Sequence, residues 1–298
     1  MPTIVDYLDP IALRGISKLE LIARLVVEGF ITGQHKSPYK GFSIEFAQHR
    51  PYVWGDEIKH IDWRVFGRSD RYFIKQYEEE TNLRCHLLLD TSGSMAYGSN
   101  GVTKLQYGTY LSAAISYLTI SQTDSAGLIT FDSQIREFLP PRATKLHLQR
   151  VVEALAKSKA QGDTGLASVL HQLADRIHRR GLVIVMSDLF DDADALLAAL
   201  SHFRHKRHEL IVFQIVDPKE ADFPFDQWIQ FESLETAGQK LLVDAARFRT
   251  EYQRQYRAHM EKIREGCHKR RIDFLELNTA TRFDVALSHY LQRRMGER

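Results

Sequence analysis

The residues best suited to bind a ligand stand at the end of a short apolar stretch. In LLLDTSGSMAYG, at 87–98, three leucines lead to Asp90, and Ser92 and Ser94 follow at alternate positions. Residues two apart in an extended backbone point the same way, so one carboxylate and two hydroxyls can face a common point. Gly93 lets the loop bend tightly. The set suits a hard cation, although a turn with a helix N-cap is the simpler alternative.

Two later loops carry oxygen atoms of the same kind. GDTG, at 162–165, holds Thr164, and GLVIVMSD ends in Ser187 and Asp188. In an open α/β sheet, ligands bind outside the carboxyl ends of the strands, near the point where the strand order reverses. Since no loop brings a Cys thiolate, we expect the three loops to meet and to hold Mg²⁺ or Mn²⁺. The oxygen-bearing side chains at this edge are Asp90, Ser92, Ser94, Asp163, Thr164, Ser187 and Asp188, with Asp191 and Asp192 close behind.

The rest of the chain contains the elements that would position these loops. From residue 84 onward, apolar strands such as RCHLLLD, SAGLITFD, GLVIVMSD, ELIVFQIVD and IDFLELN alternate with amphipathic helices. This alternation predicts an α/β fold with a doubly wound, mostly parallel sheet flanked by helices. A hairpin is predicted within WIQFESLETAGQKLLVD. We interpret residues 1–80 as an N-terminal elaboration of a helix and strands, and 81–298 as the main domain.

Composition narrows the class of protein. The 298 residues carry 40 basic and 38 acidic side chains, interleaved along the chain, for a net charge of +2. This balance argues against binding nucleic acid or a membrane surface through bulk charge. The two cysteines, Cys85 and Cys267, fit a reducing compartment. No apolar run approaches the length of a membrane helix and no signal-peptide pattern is present, so we expect no membrane span and a cytoplasmic location.

The pattern of ligands resembles a known binding site. Asp90-x-Ser92-x-Ser94, with Thr164 and Asp188 downstream, is similar to the metal-ion-dependent adhesion site of von Willebrand factor A domains, over about 84–298. The resemblance implies that the hydroxyls ligate Mg²⁺ and that the aspartates act mostly through water or hydrogen bonds. It also implies that the cation takes a carboxylate from a partner protein, which is binding rather than catalysis.

This sequence departs from the pattern of that site at one position. Many von Willebrand A domains have a glycine directly after the second aspartate, where this chain has Leu189. Leucine gives the loop less backbone freedom than glycine. The placement of Asp188 therefore depends on the conformation that Leu189 adopts.

A second resemblance lies upstream of the metal loop. YVWGDEIKHIDWRVFGRSDRYFIKQYEEE, at 52–80, is similar to the signature of the MoxR-associated family of von Willebrand A-like bacterial proteins, domain of unknown function fifty-eight. The resemblance implies a MoxR-type AAA+ ATPase as partner, in complexes that act as chaperones or in maturation of a client. Charged and aromatic residues of the signature are either a partner surface or a structural salt-bridge network. They are Asp56, Asp62, Trp63, Arg64 and Arg68.

An enzymatic alternative uses the same acids. A metal-dependent phosphoester hydrolase would employ Asp90 as nucleophile together with Asp188. A phosphatase of that type needs a second aspartate two residues on as general acid, and Ser92 stands there instead, with a pKa far from neutral. The chain contains no G-x-x-x-x-G-K-[ST] loop, so any ATPase activity must come from a partner. We therefore predict a protein that is not an enzyme.

Two other stretches could either bind a ligand or simply form solvent-exposed helix surface. HFRHKRH places His202, His205 and His208 three residues apart, which allows zinc but more simply indicates a solvated helix end. The basic helix predicted at 247–271 could contact nucleic acid, but its aromatic stripe indicates an ordinary surface helix. We expect neither zinc nor nucleic acid.

Overall fold

The protein forms two compact units in this computed structural model. One unit consists of Met1–His35 and Leu83–Arg298, and the other consists of Lys36–Asn82. The residues that the structure describes are 9–13, 18–33, 48–53, 63–76, 83–163, 165–234, 238 and 240–295. The candidate ligand Thr164 lies outside these residues.

The helices and strands of the described residues follow the alternation that the sequence predicts. In chain order they are α1 (Pro10–Leu13), α2 (Leu19–Gly33), β1 (Gln48–Pro51), α3 (Trp63–Ser69), β2 (Phe73–Gln76), β3 (Arg84–Asp90), α4 (Lys104–Ser121), β4 (Ser125–Phe131), β5 (Ile135–Arg142), α5 (Lys145–Lys157), α6 (Leu166–Arg176), β6 (Leu182–Ser187), α7 (Ala193–His205), β7 (Glu209–Val216), α8 (Pro218–Asp222), β8 (Trp228–Glu232), β9 (Lys240–Asp244), α9 (Ala245–Lys269), β10 (Asp273–Asn278) and α10 (Asp284–Met295). The short helix α8 has too few residues to show a period and was not predicted.

The central sheet confirms the predicted fold class. Its strand order is β10-β7-β6-β3-β4-β5, and every pairing is parallel except that of β4 with β5. The chain leaves β3 towards β4 and β5, then returns to the other side of β3 to form β6. The strand order therefore reverses between β3 and β6, and the carboxyl ends of these two strands flank the crevice where ligands bind in such sheets.

Helices cover both faces of this sheet. On one face, α6, α7 and α9 enclose a core that includes Leu88, Val185 and Val212 from three neighbouring strands. On the other face, α4 lies so close that a Cβ on Gly108 would come within 2.6 Å of the Leu89 side chain. Burial on both faces explains why the strands are apolar throughout rather than alternating.

The smaller unit contains a short antiparallel pair. Strands β1 and β2 pair over four residues each, and α3 lies between them in sequence. Phe66 stacks on Tyr72 with ring centroids 4.5 Å apart. Across both units, the described residues include no helix that is long and apolar enough to span a membrane.

Candidate metal centre

Strand β3 ends in a buried carboxylate, and each of its two oxygens accepts a hydrogen bond from a neutral donor. Asp90 is 1% exposed. Its Oδ1 accepts a hydrogen bond of 2.8 Å from the Ser92 backbone N–H, and its Oδ2 accepts one of 2.6 Å from the Ser187 hydroxyl. The second donor comes from the end of β6, so Asp90 joins the two strands on either side of the reversal point.

The two serine hydroxyls of the loop meet beside this carboxylate. Ser92 Oγ and Ser94 Oγ lie 3.1 Å apart. The chain forms a short 3-10 turn over Gly93–Ala96, which Ser92 precedes without any side-chain capping bond. The helix that follows begins only at Lys104, and Thr103 caps it by accepting a bond from the Gln106 backbone. The turn of the simpler alternative is therefore present, but Ser92 makes no side-chain capping bond and Thr103, not Ser92 or Ser94, caps α4.

The loop that leads to Thr164 also reaches the site. The Gln161 backbone N–H donates to the Thr91 carbonyl over 2.9 Å, and the Gly93 N–H donates to the Gly162 carbonyl over 3.0 Å. Gly162 has φ +81°, a left-handed conformation that glycine adopts without strain. These bonds bring the 161–163 segment against the metal loop, although Thr164 itself lies outside the described residues.

At the end of β6, Leu189 adopts the backbone conformation that a glycine would take. Its φ is +63°, although it is a fully buried leucine of the main core. A left-handed conformation costs an L-residue roughly 1–2 kcal/mol. Its N–H donates to Ser187 Oγ over 3.0 Å, so the turn also orients the hydroxyl that binds Asp90. Leu189 therefore adopts a conformation in which glycine is unstrained, and its burial in the core offsets the strain.

The second aspartate has a charged partner. Asp188 Oδ2 lies 2.7 Å from the ammonium of Lys104, the first residue of α4. The same ammonium lies 2.6 Å from Glu220 Oε1 on α8. The Lys104 side chain is fully buried, and its ammonium also faces the Phe190 ring at 5.3 Å. Two carboxylates from separate elements therefore converge on one buried lysine.

Burial and charge shift the pKa values of this cluster. Burial, and then the charge of Asp188, raise the pKa of Asp90 to about 7. Burial alone would lower the pKa of Lys104, but Asp188 and Glu220 outweigh it and raise that pKa above its ordinary value. Burial raises the pKa of Glu220 despite the opposing effect of Lys104. A carboxylate at Asp90 is therefore costly unless further positive charge is supplied.

The donor set fits a hard divalent cation. Among the described residues, no three His, Cys, Asp or Glu side chains come together to hold a metal. Ser92 and Ser94 place two hydroxyl oxygens together beside Asp90, a carboxylate without a cationic partner. Hydroxyl and carboxylate oxygens are ligands that Mg²⁺ and Mn²⁺ accept. The residues that could hold the ion are Asp90, Ser92, Ser94 and Asp188, with Thr164 as a predicted fifth.

The predicted partner residues of the upstream signature are only partly described. Asp56 and Asp62 lie outside the described residues. Trp63 begins α3, is 58% exposed and meets Phe66 edge-on at 6.1 Å. Arg68 is exposed near the end of the same helix, while Arg64 is described only as part of its backbone. An exposed tryptophan on a short helix is compatible with a partner surface.

The other acids at the sheet edge form hydrogen bonds that stabilise local structure, and the three histidines are spread over α7 and the residue before β7. Asp191 accepts from the Ala167 backbone, and Asp192 caps α7 by accepting from the Ala195 backbone. His208 is buried at the start of β7, with Nε2 3.1 Å from the Ile177 carbonyl, whereas His202 and His205 lie on α7. In the basic helix α9, several arginines and lysines pair with neighbouring acids.

Lys104 is the functional residue that the sequence analysis missed. It stands in the first turn of a helix, where a positive charge opposes the helix dipole. A lysine in the first turn of a helix indicates that acidic partners lie nearby, and this indication could be seen in the sequence. Its partners could not be named from the sequence, because Glu220 lies on α8, which was not predicted.

Comparison with known families gives one match that covers most of the chain. A family model described as "Protein of unknown function DUF58" matches residues 48–262. The uncharacterized protein Mb1516 of Mycobacterium bovis is 24% identical over 224 residues, which cover 74% of this chain and 69% of that protein. The uncharacterized protein Rv1480 of Mycobacterium tuberculosis matches with the same values.

Solved structures resemble the chain path at low sequence identity. BatB from Bacteroides thetaiotaomicron has a TM-score of 0.46 and 15% identity, over 71% of this chain and 98% of that one. An aerotolerance-related membrane protein from Bacteroides fragilis has a TM-score of 0.47 and 15% identity, over 71% and 99%. The VWA domain of SpRpn10 has a TM-score of 0.40 and 11% identity, over 70% and 94%.

Proposed function

The chain belongs to the DUF58 family, whose function is unknown, and on that premise we propose that it is a non-enzymatic protein-binding module dependent on a divalent cation. Mg²⁺ or Mn²⁺ is held by Asp90, Ser92, Ser94 and Asp188 together with Thr164. The observation that carries the proposal is the pair of hydroxyls, 3.1 Å apart, beside a buried Asp90 whose pKa is raised by burial and by Asp188.

The residues divide the work of binding. Ser187 and the Ser92 backbone fix the orientation of the Asp90 carboxylate, and the bonds between the 91–93 and 161–162 segments hold the loops together. The neutral hydroxyls add oxygen ligands without adding negative charge. When bound, the cation would supply a Lewis-acidic position for a carboxylate from another protein. The partner therefore offers a Glu or Asp side chain.

The same arrangement argues against the hydrolase alternative. Ser92 stands where a phosphatase of that type needs its acid. We expect the purified protein not to hydrolyse p-nitrophenyl phosphate, and turnover that Asp90→Asn abolishes would revive the hydrolase.

Calorimetric titration with Mg²⁺ and with Mn²⁺ tests the cation site. Asp90→Ala and the double variant Ser92→Ala/Ser94→Ala should weaken binding at least tenfold, because each removes oxygen ligands or the charge that attracts the ion. Ser112→Ala is the matched control, since Ser112 is a buried serine that bonds the Gly108 carbonyl within α4. Equal titrations of wild type and Asp90→Ala would refute the site.

We propose that the ATPase partner is of the MoxR type, as the signature at 52–80 implies. Co-purification of a MoxR-type AAA+ ATPase with this protein should decrease when Ser92 and Ser94 are replaced by alanine, if the metal loop binds it. Unchanged recovery of the ATPase would move its contact elsewhere. The exposed Trp63 of the signature is then the first position to replace. The metal loop would in that case bind a client protein.

A further inference from the structure

An apolar cavity opens beside the metal loop. It has a volume of about 670 Å³, within the range of small-ligand pockets in proteins. Ser94 and Tyr97 line one part of it. Most of the other lining residues are aromatic or aliphatic, among them Phe223, Phe225, Phe231, Leu241, Phe248 and Tyr252, and the polar residues Gln230, Glu232 and Ser233 also belong to the lining.

The β8–β9 hairpin forms one wall of this cavity. In its register, Phe231 pairs with Leu241 and Ile229 pairs with Val243, so these four side chains share one face. Leu241 is 63% exposed although it lines the cavity, whereas Leu242, at 62%, points to the opposite face and is not part of the lining. A two-stranded hairpin is stable only when it packs on something else.

Packed rings form the opposite wall and preform the cavity. Phe223 follows α8 in a left-handed conformation, with φ +43°. Its ring centroid lies 4.5 Å from that of Tyr252 on α9, 5.2 Å from that of Phe225 and 5.8 Å from that of Phe231. Aromatic contacts of this kind fix the wall before any ligand enters.

The cavity is continuous with the candidate cation site. Ser94 belongs both to the hydroxyl pair and to the cavity lining. Glu220, which binds Lys104, lines the same part, and the neighbouring Lys219 is exposed there. An acidic group entering at this end would meet the cation and the Lys219 ammonium, while an adjoining apolar group would meet the rings.

We propose that this cavity binds an apolar side chain of the partner segment whose carboxylate occupies the cation site. The occupant is an extended segment of another protein, with a Glu or Asp about two to four residues from a Phe, Tyr, Leu or Met. Extended chain advances about 3.3 Å per residue, so this spacing separates the acidic and apolar side chains by roughly 7–13 Å. The inference rests on the proposed cation-dependent function and adds sequence specificity to it.

Selection from a phage-displayed library of random twelve-residue peptides tests this pairing. The wild-type protein in Mg²⁺ should enrich peptides that combine an acidic residue with an apolar residue at that spacing. Leu241→Gln should enrich the acidic residue alone. Leu242→Gln, which changes the same residue type at equal exposure on the other face, should select as the wild type does.

The two proposals fail in different ways. Loss of acidic enrichment in EDTA and in Asp90→Ala supports the cation site, and enrichment that ignores Leu241→Gln overturns the cavity while leaving that site intact. Apolar enrichment without acidic residues overturns the pairing and the cation function together. The absence of any enrichment, as when a segment of the same chain fills the cavity, overturns both.

A titration then measures the effect on one ligand. A fluorescein-labelled synthetic copy of the most enriched peptide should bind Leu241→Gln roughly fivefold or more weakly, since part of an apolar contact is lost. Its affinity for Leu242→Gln should stay within about twofold of the wild type. Equal losses in the two variants would assign the effect to the hairpin as a whole and overturn the cavity proposal.

Discussion

Two aspartates stand at the ends of neighbouring strands, and they are held by opposite kinds of partner. Asp90, after β3, receives hydrogen bonds from a backbone N–H and from the Ser187 hydroxyl, both neutral. Asp188, after β6, is paired with the buried ammonium of Lys104. The first carboxylate thus has no cationic partner, and its pKa is raised to about 7, whereas the second shares the Lys104 ammonium with Glu220.

The difference bears on the proposed function, in which a single divalent cation binds at a site with two acids. If both aspartates were without a cation, their repulsion would raise the cost of folding. Lys104 stays positively charged and neutralises Asp188, because Asp188 and Glu220 raise the pKa of Lys104. The remaining demand for positive charge is concentrated on Asp90, where the serine hydroxyls stand. In the proposed function, Lys104 thereby favours binding of the divalent cation beside Ser92 and Ser94 rather than beside Asp188.

Removing the lysine should have the largest effect. Lys104→Met leaves Asp188 and Glu220 close together without their cation, and breaking a buried pair in this way typically costs about 3–5 kcal/mol. We expect a decrease of that size in the free energy of unfolding, measured by urea denaturation at pH 7 in EDTA. The double variant Lys104→Met/Asp188→Asn should recover part of it.

The control for this variant is Lys219→Met, which removes an exposed lysine on α8, next to Glu220 in sequence. Its unfolding free energy should stay within about 0.5 kcal/mol of the wild type. Mg²⁺ should stabilise Lys104→Met more than it stabilises the wild type, because the ion can take over the role of the ammonium. If Lys104→Met unfolds at the wild-type urea concentration, the two aspartates do not differ as described.

Removing the charge of each aspartate should have smaller effects of opposite sign. In EDTA, Asp90→Asn should retain or increase stability by about 1 kcal/mol, because it removes a buried charge without a cation. Asp188→Asn should lose about 1–3 kcal/mol, because it weakens the partner of Lys104. The measurement is urea unfolding of both variants beside the wild type. Losses of the same sign and size would refute the comparison.

The response of the folding stability to magnesium tests whether the proposed ion binds at Asp90. At 100 times its dissociation constant, an ion that binds only the folded state stabilises it by about 2.7 kcal/mol. Wild-type protein should show a gain that grows with Mg²⁺ concentration, and Asp90→Asn should not. A Mg²⁺-dependent gain that Asp90→Asn retains would assign the ion to another place.

The sequence predicted the serine side of this site better than the lysine side. Asp90, Ser92 and Ser94 are close in sequence, and their strand and loop could be recognised from an apolar run and a glycine. Asp188 followed from the rule that strand ends share an edge. These are local or topological patterns, and the structure brings the described members together.

The lysine side depends on contacts that no local pattern shows. Lys104 lies on α4, Asp188 follows β6 and Glu220 lies on α8, so the three side chains meet only in the packed fold. The left-handed turn at Leu189 also could not be predicted, since leucine rarely adopts it and the surrounding core holds it there. Sequence reasoning therefore brought the predicted ligands Asp90, Ser92, Ser94 and Asp188 to one edge of the sheet and missed the lysine that pairs with Asp188.

The effect that should be smallest at pH 7, where the two aspartates are compared, comes from a buried histidine. His86 is buried within β3, and burial, followed by the charges of His208 and Arg84, lowers its pKa from 6.5 to about 4. Between these values the unfolded chain binds a proton that the folded protein does not. Stability from this histidine is therefore present above pH 6.5 and is lost as the pH falls towards 4.

His86→Gln should consequently lose stability less steeply than the wild type between pH 6.5 and 4, in urea unfolding at several pH values. His205→Gln, at an exposed position on α7, is the control and should keep the wild-type slope. Equal slopes for His86→Gln and wild type would show that the proton is bound elsewhere. Because His86 adds no slope above pH 6.5, differences between the Asp90 and Asp188 variants at pH 7 are free of its contribution.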